Sequence, residues 1–168
     1  MASKEFRLVS PAIDKEGGVK LPRYYTHEGV GSKWNISPPL EWLNVPPKTK
    51  SLALLVQDVD TVDPTGRTVP ITHWVVVNIP ATLTKLPEGL SGKEDEMGDE
   101  YNGIEEGVND WKVNLWRGPK TPNYGDRFEF KLYALDDHMH FDNQVTKEKL
   151  LDAITGHILG EAVMIATF

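Results

Sequence analysis

The chain contains no cysteine among its 168 residues. Disulfide bonds, thiolate catalysis and cysteine-bound zinc are therefore excluded. The chain also lacks a run of about 18 apolar residues, the length needed to cross a bilayer, and its first residues lack the apolar stretch of a signal peptide. We expect a cytoplasmic protein that is not integral to a membrane.

Basic charge is scarce. The chain has 18 Lys and Arg against 25 Asp and Glu, which gives a net charge of −7, and its basic residues form no block. A general surface for nucleic acid or anionic membrane is therefore not expected. A length of 168 residues with 39% apolar residues suits one folded domain spanning residues 1–168.

Several signatures of cofactor and metal chemistry are missing. The sequence has no Gly-x-Ser-x-Gly elbow, no P-loop and no dinucleotide fingerprint. The acidic segment 58–64 is not an EF-hand loop, because its sixth position is Asp63 rather than Gly and its twelfth is Val69 rather than Glu. We expect neither an organic cofactor nor a bound metal.

Short apolar runs separated by 14 glycines and 12 prolines predict a mainly β fold. Residues 51–57 and 73–79 are nearly continuous apolar runs, typical of central strands covered on both faces. Residues 127–135 alternate between an apolar and a polar side, and residues 161–168 form a last strand whose end we expect to be tied into the sheet. Residues 146–156 predict one short helix capped by Thr146.

A long connection, residues 87–122, exceeds the usual length of a loop. Long connections of this kind often carry function, so we expect part of it to form a wall or lid of a site. It ends in Trp116-Arg117-Gly118-Pro119, and Tyr124 to Phe128 then lead into the alternating strand.

The densest polar cluster follows the first central strand. Asp58 and Asp60 come directly after it, and His73 begins the next strand. Strand ends are common places for binding sites, and a carboxylate beside an imidazole suits acid-base chemistry. The simpler interpretation is that Asp58 and Asp60 only accept hydrogen bonds from the backbone of a turn.

Taken in order, these motifs resemble the phosphatidylethanolamine-binding protein family, and in particular its bacterial and plant branch described as Raf kinase inhibitor-like. The resemblance covers nearly the whole chain and lies in the order and spacing of its motifs. They are Asp58-x-Asp60, His73-Trp74, Gly118-Pro119, Gly125-x-Arg127-Phe128, residues 35–42 and residues 156–160.

The resemblance implies a β-sandwich of a large central sheet and a smaller one, with short helices near the C-terminus. It also implies an anion pocket at one end of the large sheet. In this chain that pocket would be centred on Asp58, His73, Gly118, Pro119 and Asp126. We expect Trp116 at its rim and Tyr124 and Phe128 at its mouth, although core packing of these aromatic residues remains the alternative. Asp60 and Arg127 are expected to form a structural pair.

Asp126 departs from the family pattern, which has histidine at this position. A carboxylate accepts hydrogen bonds and repels anions, whereas histidine donates and can become cationic. The ligand is therefore either an anion, as in the family, or a neutral or amine-bearing small molecule. We also expect the carboxylates to raise the pKa of His73.

Three functions remain open at this point. The first is a small-ligand-binding regulatory or scaffold protein. The second is an enzyme in which His73, Asp58 and Asp126 catalyse isomerisation or cyclisation by acid-base chemistry. The third is a protein-interaction module that binds a protein partner through surface loops such as residues 90–111, as the kinase-inhibitor label implies.

Overall fold

A computed structural model describes residues 4–13, 19–31, 33–120 and 123–168. Its largest element is an antiparallel sheet of five strands. They are β3 (Ser51–Asp58), β4 (Ile71–Pro80), β6 (Glu105–Glu106), β7 (Arg127–Leu135) and β8 (Ile158–Thr167). Their order in the sheet is β6-β4-β3-β7-β8. The apolar runs predicted as central strands, β3 and β4, lie near the middle of this sheet and are buried almost throughout.

A smaller sheet covers one face of the larger one. It contains β1 (Arg7–Val9), β2 (Leu40–Leu43) and β5 (Lys85–Leu86) in the order β1-β2-β5. Trp42 of β2 packs into the main core, and its indole N–H donates to the Leu83 carbonyl oxygen at 2.9 Å. The predicted β-sandwich of a large and a small sheet is thus confirmed.

The opposite face of the large sheet is partly covered by a helix. Helix α1 (Lys147–Ile154) begins as predicted at Thr146, whose hydroxyl accepts from the Lys149 N–H at 3.1 Å. Leu150 and Ile154 of the helix pack against the sheet in a second core. It is one α-helix where the resemblance implied several, and the other helical segments of the described residues are single 3-10 turns (Arg23–Tyr25, Glu94–Glu96 and Asp99–Tyr101).

The two sides of β7 differ from the prediction at one end. Its apolar side, from Phe128 to Ala134, is fully buried as expected. The side predicted to be polar is polar only in its first half, because Tyr133 and Leu135 are buried beneath α1. The sequence alternation does not show which part of a strand a distant helix will cover.

The C-terminus is tied into the sheet. The backbone N–H of Phe168 donates to the Asp126 carbonyl at 3.1 Å, and the Gly125 N–H donates to the Phe168 carbonyl at 2.7 Å. The last residue thereby fixes the segment that leads into β7. No helix among the described residues has the length and hydropathy needed to span a membrane.

Candidate functional site

A β-bulge at the start of β4 positions His73. Trp74 pairs with Val56 and Thr72 with Gln57, so His73 is an extra residue without a partner on β3. A β-bulge interrupts the alternation of side chains along a strand. A residue in the bulge can therefore point to the face opposite to the one that strict alternation predicts. His73 accordingly contacts Phe128 on the core side, with ring centroids 4.8 Å apart, and is only 1% exposed.

Asp58 ends β3 and uses its two carboxylate oxygens differently. Oδ1 accepts from the backbone N–H groups of Asp60 at 2.8 Å and Thr61 at 3.0 Å, which is the turn-capping role considered for this residue. Oδ2 is buried and has no hydrogen-bond partner among the described residues. Asp58 therefore caps the turn and still has one acceptor atom to spare.

The hydrogen bond of His73 determines its tautomer. Nδ1 lies 2.5 Å from the Arg117 carbonyl oxygen, and a carbonyl only accepts, so Nδ1 carries a proton. Nε2 is buried and has no partner among the described residues. In the neutral ring, Nε2 is therefore a second unused acceptor beside that of Asp58.

The prediction that the pKa of His73 is raised overall is wrong, although nearby carboxylates act in that direction. Burial disfavours the charged ring and lowers the pKa to about 4, although the Arg117 carbonyl and the charges of Asp58 and Asp110 act in the opposite direction. The loss of hydration outweighs these attractions because the ring is almost fully enclosed. His73 is consequently neutral at physiological pH.

Asp126 lies immediately before β7 and is half-buried. Burial, together with a hydrogen bond and charge repulsion from the Asp58 carboxyl, raises the pKa of Asp126 to about 7. Two carboxyls in such contact hold one proton between them more readily than two negative charges. A proton donated from Asp126 would also satisfy the free oxygen of Asp58.

Asp60 and Arg127 form a bidentate pair next to this cluster. Arg127 Nη2 lies 2.8 Å from Asp60 Oδ1, and Nε lies 3.0 Å from Oδ2. The backbone N–H of Arg127 also donates to Oδ2 at 2.7 Å. The hydrogen bonds from Arg127 keep the pKa of Asp60 below its usual range, and the guanidinium is engaged in this pair.

Gly118 permits a close approach between two backbone segments. A Cβ atom at this position would lie 2.1 Å from the Tyr25 carbonyl oxygen. The Gly118 N–H donates to Asn35 Oδ1 at 2.9 Å, and the neighbouring Pro119 carbonyl accepts from the His27 N–H at 2.8 Å. Gly118 and Pro119 are thus a buried wall held against residues 25–35.

Sequence reasoning missed the importance of two residues near the cluster, Asn35 and Arg117. Asn35 links Gly118 to His27 by donating from Nδ2 to Nδ1 of that ring at 2.8 Å. Arg117 places its guanidinium carbon 4.4 Å from the centre of the Trp111 ring, and its buried Nε has no partner among the described residues. The motif at residues 35–42 and the Arg117-Gly118-Pro119 sequence were the available signals.

The predicted aromatic residues are not all brought to the cluster. Phe128 contacts His73 but is fully buried, so it forms the floor. Trp116 is 2% exposed and lies in the core rather than at the predicted rim. Its indole N–H donates to the Tyr25 carbonyl oxygen at 2.9 Å. Trp111 contacts His73 instead, with ring centroids 4.8 Å apart.

Tyr124 lies on the surface, 58% exposed, beside the segment that carries Asp126. Its ring stacks on Phe168 at a centroid distance of 4.5 Å, and its hydroxyl donates to the Glu28 carboxylate at 2.6 Å. Within the described ranges, no group of three or more His, Asp or Glu side chains is arranged to hold a metal ion.

Comparison with known proteins shows the family of this chain. A sequence model described as phosphatidylethanolamine-binding protein matches residues 10–168. This chain belongs to the phosphatidylethanolamine-binding protein family. Among the members, it is 38% identical over 149 residues to a UPF0098 protein of Methanothermobacter thermautotrophicus, covering 89% of this chain and 90% of the relative. It is 33% identical to a UPF0098 protein of Chlamydia pneumoniae, covering 96% and 97% of the two chains.

Solved structures of the family share the fold. A phosphatidylethanolamine-binding protein homologue from Chlamydia trachomatis is 34% identical, with a TM-score of 0.79 over 97% of this chain and 96% of that chain. YbcL of E. coli, described as a member of the mammalian family, is 30% identical, with a TM-score of 0.80 over 98% of each chain.

Proposed function

We propose that this protein binds a small molecule at the cluster of Asp58, His73, Gly118, Pro119 and Asp126. One observation carries the proposal: His73 Nε2 is buried and lacks a hydrogen-bond partner among the described residues, and buried Asp58 Oδ2 lacks one whenever Asp126 is ionised. A buried polar atom left unpaired costs about 1–3 kcal/mol. A ligand that donates to both atoms recovers that cost.

The construction of the cluster supports binding rather than a role in stability alone. The β-bulge at His73 and the close approach at Gly118 are local departures from regular structure, and both are held by specific hydrogen bonds. Such departures concentrate at functional sites. Together with membership of a family named for binding a phospholipid, they favour a ligand-binding regulatory or scaffold protein, which we assign to the cytoplasm.

Acid-base catalysis is the second candidate, and Asp126 favours it. A carboxyl whose pKa is raised to about 7 can both give and take a proton near neutral pH. His73, with its pKa lowered to about 4, cannot supply a proton there. The acid-base group of an isomerase or cyclase would therefore be Asp126, with Asp58 and His73 positioning the substrate.

An NMR titration with O-phosphoethanolamine tests the binding proposal. The amide signals of Asp58, His73 and Gly118 should shift saturably in the wild-type protein. Asp126→His should change the affinity, whereas Asp142→His, the same substitution at an exposed position beside α1, should leave it unchanged. Shifts confined to other surfaces, or no saturable shift, would contradict the proposal.

Depletion of a metabolite separates the two candidates. The protein is incubated with a cell extract, and small molecules are quantified over time. A binding protein retains its ligand in an amount limited by the protein concentration, whereas an enzyme consumes substrate through many turnovers. If turnover occurs, Asp126→Asn should abolish it and Asp142→Asn should not.

A further inference from the structure

The chain contains one Asn-Gly dipeptide, Asn102-Gly103, which lies in the long connection just before β6. The two residues occupy the middle of a tight turn, because the Ile104 N–H donates to the Tyr101 carbonyl oxygen at 3.3 Å. Asn102 has φ −63° and ψ 139°, and Gly103 has φ 91°. These angles fit a type II β-turn, whose third residue needs a positive φ and is therefore usually glycine.

The turn presents two groups that can react with each other. Asn102 and Gly103 are both exposed. Within the part of the chain that the structure describes, the Asn102 side-chain amide and the Gly103 N–H have no hydrogen-bond partner. A Cβ atom at Gly103 would meet nothing within 4 Å. The peptide group between the two residues is therefore free to rotate.

Rotation of this peptide group brings the reacting atoms together. A flip of the central peptide group converts a type II turn into a type I turn. It changes ψ of the second residue from about 120° to about −30° and φ of the third residue from about 80° to about −90°. Glycine adopts both signs of φ readily. The flip moves the Gly103 nitrogen around the Asn102 Cα–C bond and into reach of the side-chain Cγ.

We propose that Asn102 is a deamidation site, at which this chain slowly converts a neutral amide into a carboxylate. The Gly103 backbone nitrogen loses its proton to hydroxide and attacks Asn102 Cγ. The bond from Cγ to Nδ2 then breaks, and the side-chain nitrogen takes a proton from water and leaves as ammonia. A succinimide ring remains.

Water opens the succinimide ring in one of two ways. Opening at Cγ restores the main chain and gives aspartate at position 102. Opening at the main-chain carbonyl gives isoaspartate, in which the chain continues through Cγ. In both cases the new carboxylic acid releases its proton to solvent.

The other asparagines of the chain lack this combination. None is followed by glycine, and a following side chain restricts the backbone rotation that the attack needs. Three of them, Asn35, Asn78 and Asn109, also use both the oxygen and the nitrogen of the amide in hydrogen bonds. We therefore expect deamidation to be selective for Asn102.

Isoaspartate at this position should loosen β6. It adds one atom to the main chain between Tyr101 and Ile104, which are 5% and 8% exposed and pack in the main core. Strand β6 follows directly after the turn and pairs with β4. Just beyond it, the Gly107 N–H donates to the Val75 carbonyl oxygen at 2.8 Å. The longer main chain cannot keep both the buried side chains and this pairing in place.

Peptide mass mapping of the full chain after long incubation at pH 8.5 and at pH 6 tests the proposal. The tryptic peptide 94–112 contains both Asn102 and Asn109, so Asn109 is an internal control. We expect a mass gain of amide-to-acid conversion at residue 102 and none at residue 109, with faster conversion at pH 8.5 because hydroxide removes the proton. Isoaspartate is detected by enzymatic methylation, and Gly107 hydrogen exchange should be faster in that form.

Two variants serve as controls. Asn102→Gln keeps an amide but would have to form a larger ring, so incubation should change neither its mass nor its Gly107 exchange. Gly103→Ala should slow the conversion several-fold. No mass gain at residue 102 of the wild type, or an equal gain at residue 109, would overturn the proposal without any variant. Isoaspartate with unchanged Gly107 exchange would overturn the loosening of β6.

Discussion

The Nδ1 atom of His73 lies 2.5 Å from the carbonyl oxygen of Arg117. This bond joins the bulge of β4 to the segment that carries Gly118 and Pro119. A second hydrogen bond joins the same two residues, because the backbone N–H of Arg117 donates to the His73 carbonyl oxygen at 3.2 Å. His73 is therefore fixed in position and in tautomer by one neighbouring residue, which leaves its other nitrogen to a ligand.

The first prediction concerns the protonation of His73. Proton-nitrogen correlation spectra of the imidazole should show the Nδ1–H tautomer at pH 7, with titration only near pH 4. Unfolded histidine titrates near 6.5 and so binds the proton more readily than the folded state. This residue therefore contributes stability that is lost as pH falls from about 6.5 to 4. An Nε2–H tautomer, or titration above pH 6, would refute the assignment.

The second prediction concerns the close approach at Gly118. In Gly118→Ala the new methyl group would lie 2.1 Å from the Tyr25 carbonyl oxygen, so one backbone segment must move. We expect a loss of about 1–3 kcal/mol or more in the free energy of unfolding, measured by urea denaturation. The displacement should also weaken ligand binding.

Gly103→Ala is the control for this substitution. Gly103 has a positive φ of 91° but open space around it. Its replacement should cost about 1–2 kcal/mol of backbone strain and leave the ligand affinity unchanged. Equal effects of both substitutions on ligand affinity would argue against a specific role of Gly118.

The third prediction concerns a second carboxyl pair, in the connection after β5. Glu106 accepts from the Trp74 indole N–H at 2.7 Å, from the Ser91 hydroxyl at 2.6 Å and from the Gly92 N–H at 2.6 Å. Burial and the hydrogen bond with Glu106 raise the pKa of Glu94 to about 8. Glu106 thus anchors the long connection to β4, and Glu94 is held there in its protonated form.

Glu94 should therefore destabilise the fold as pH rises. The unfolded chain releases the Glu94 proton near pH 4.5, whereas the folded chain keeps it until about pH 8. Stability falls between these values, and Glu94→Gln should abolish that fall. The variant should melt near the wild-type temperature at pH 4.5 and above it at pH 8. The exposed neighbour Glu96 provides a control, Glu96→Gln, whose melting temperature should follow the wild type at both pH values.

The fourth prediction concerns the last residue. Phe168 is 8% exposed, stacks on Tyr124 and exchanges backbone hydrogen bonds with Gly125 and Asp126. Phe168→Ala keeps those backbone hydrogen bonds and removes the ring. We expect the free energy of unfolding to fall by up to about 5 kcal/mol, as for a buried phenylalanine replaced by alanine.

Deletion of Phe168 removes both the ring and the backbone bonds. Amide hydrogen exchange of Gly125 should then accelerate well beyond its rate in Phe168→Ala, and ligand affinity should fall because Asp126 loses its support. Similar exchange rates in the two variants would show that the terminal backbone bonds do not fix this segment.

Much of the fold could be predicted from the sequence. Strands β3, β4 and β7 follow from continuous or alternating apolar residues, and α1 follows from the Thr146 cap. The burial of Tyr133 and Leu135 could not be predicted in the same way. It depends on where α1 packs, and local periodicity carries no information on such long-range contacts.

The site could be predicted only in part, because it too depends on long-range contacts. The motifs identify Asp58, His73 and Gly118, but the orientation of His73 depends on a one-residue irregularity in the pairing of β3 with β4. Its lowered pKa depends on complete burial, which the neighbouring carboxylates do not reveal. The burial of Trp116 in the core, with Trp111 over the imidazole in its place, likewise follows from the path of the long connection.

A crystal structure with O-phosphoethanolamine at pH 8 tests the central claim most directly. The account predicts that the molecule occupies the cluster, with a polar atom within hydrogen-bond distance of Asp58 Oδ2 or His73 Nε2. A molecule bound only elsewhere on the protein, or no bound molecule, would contradict it.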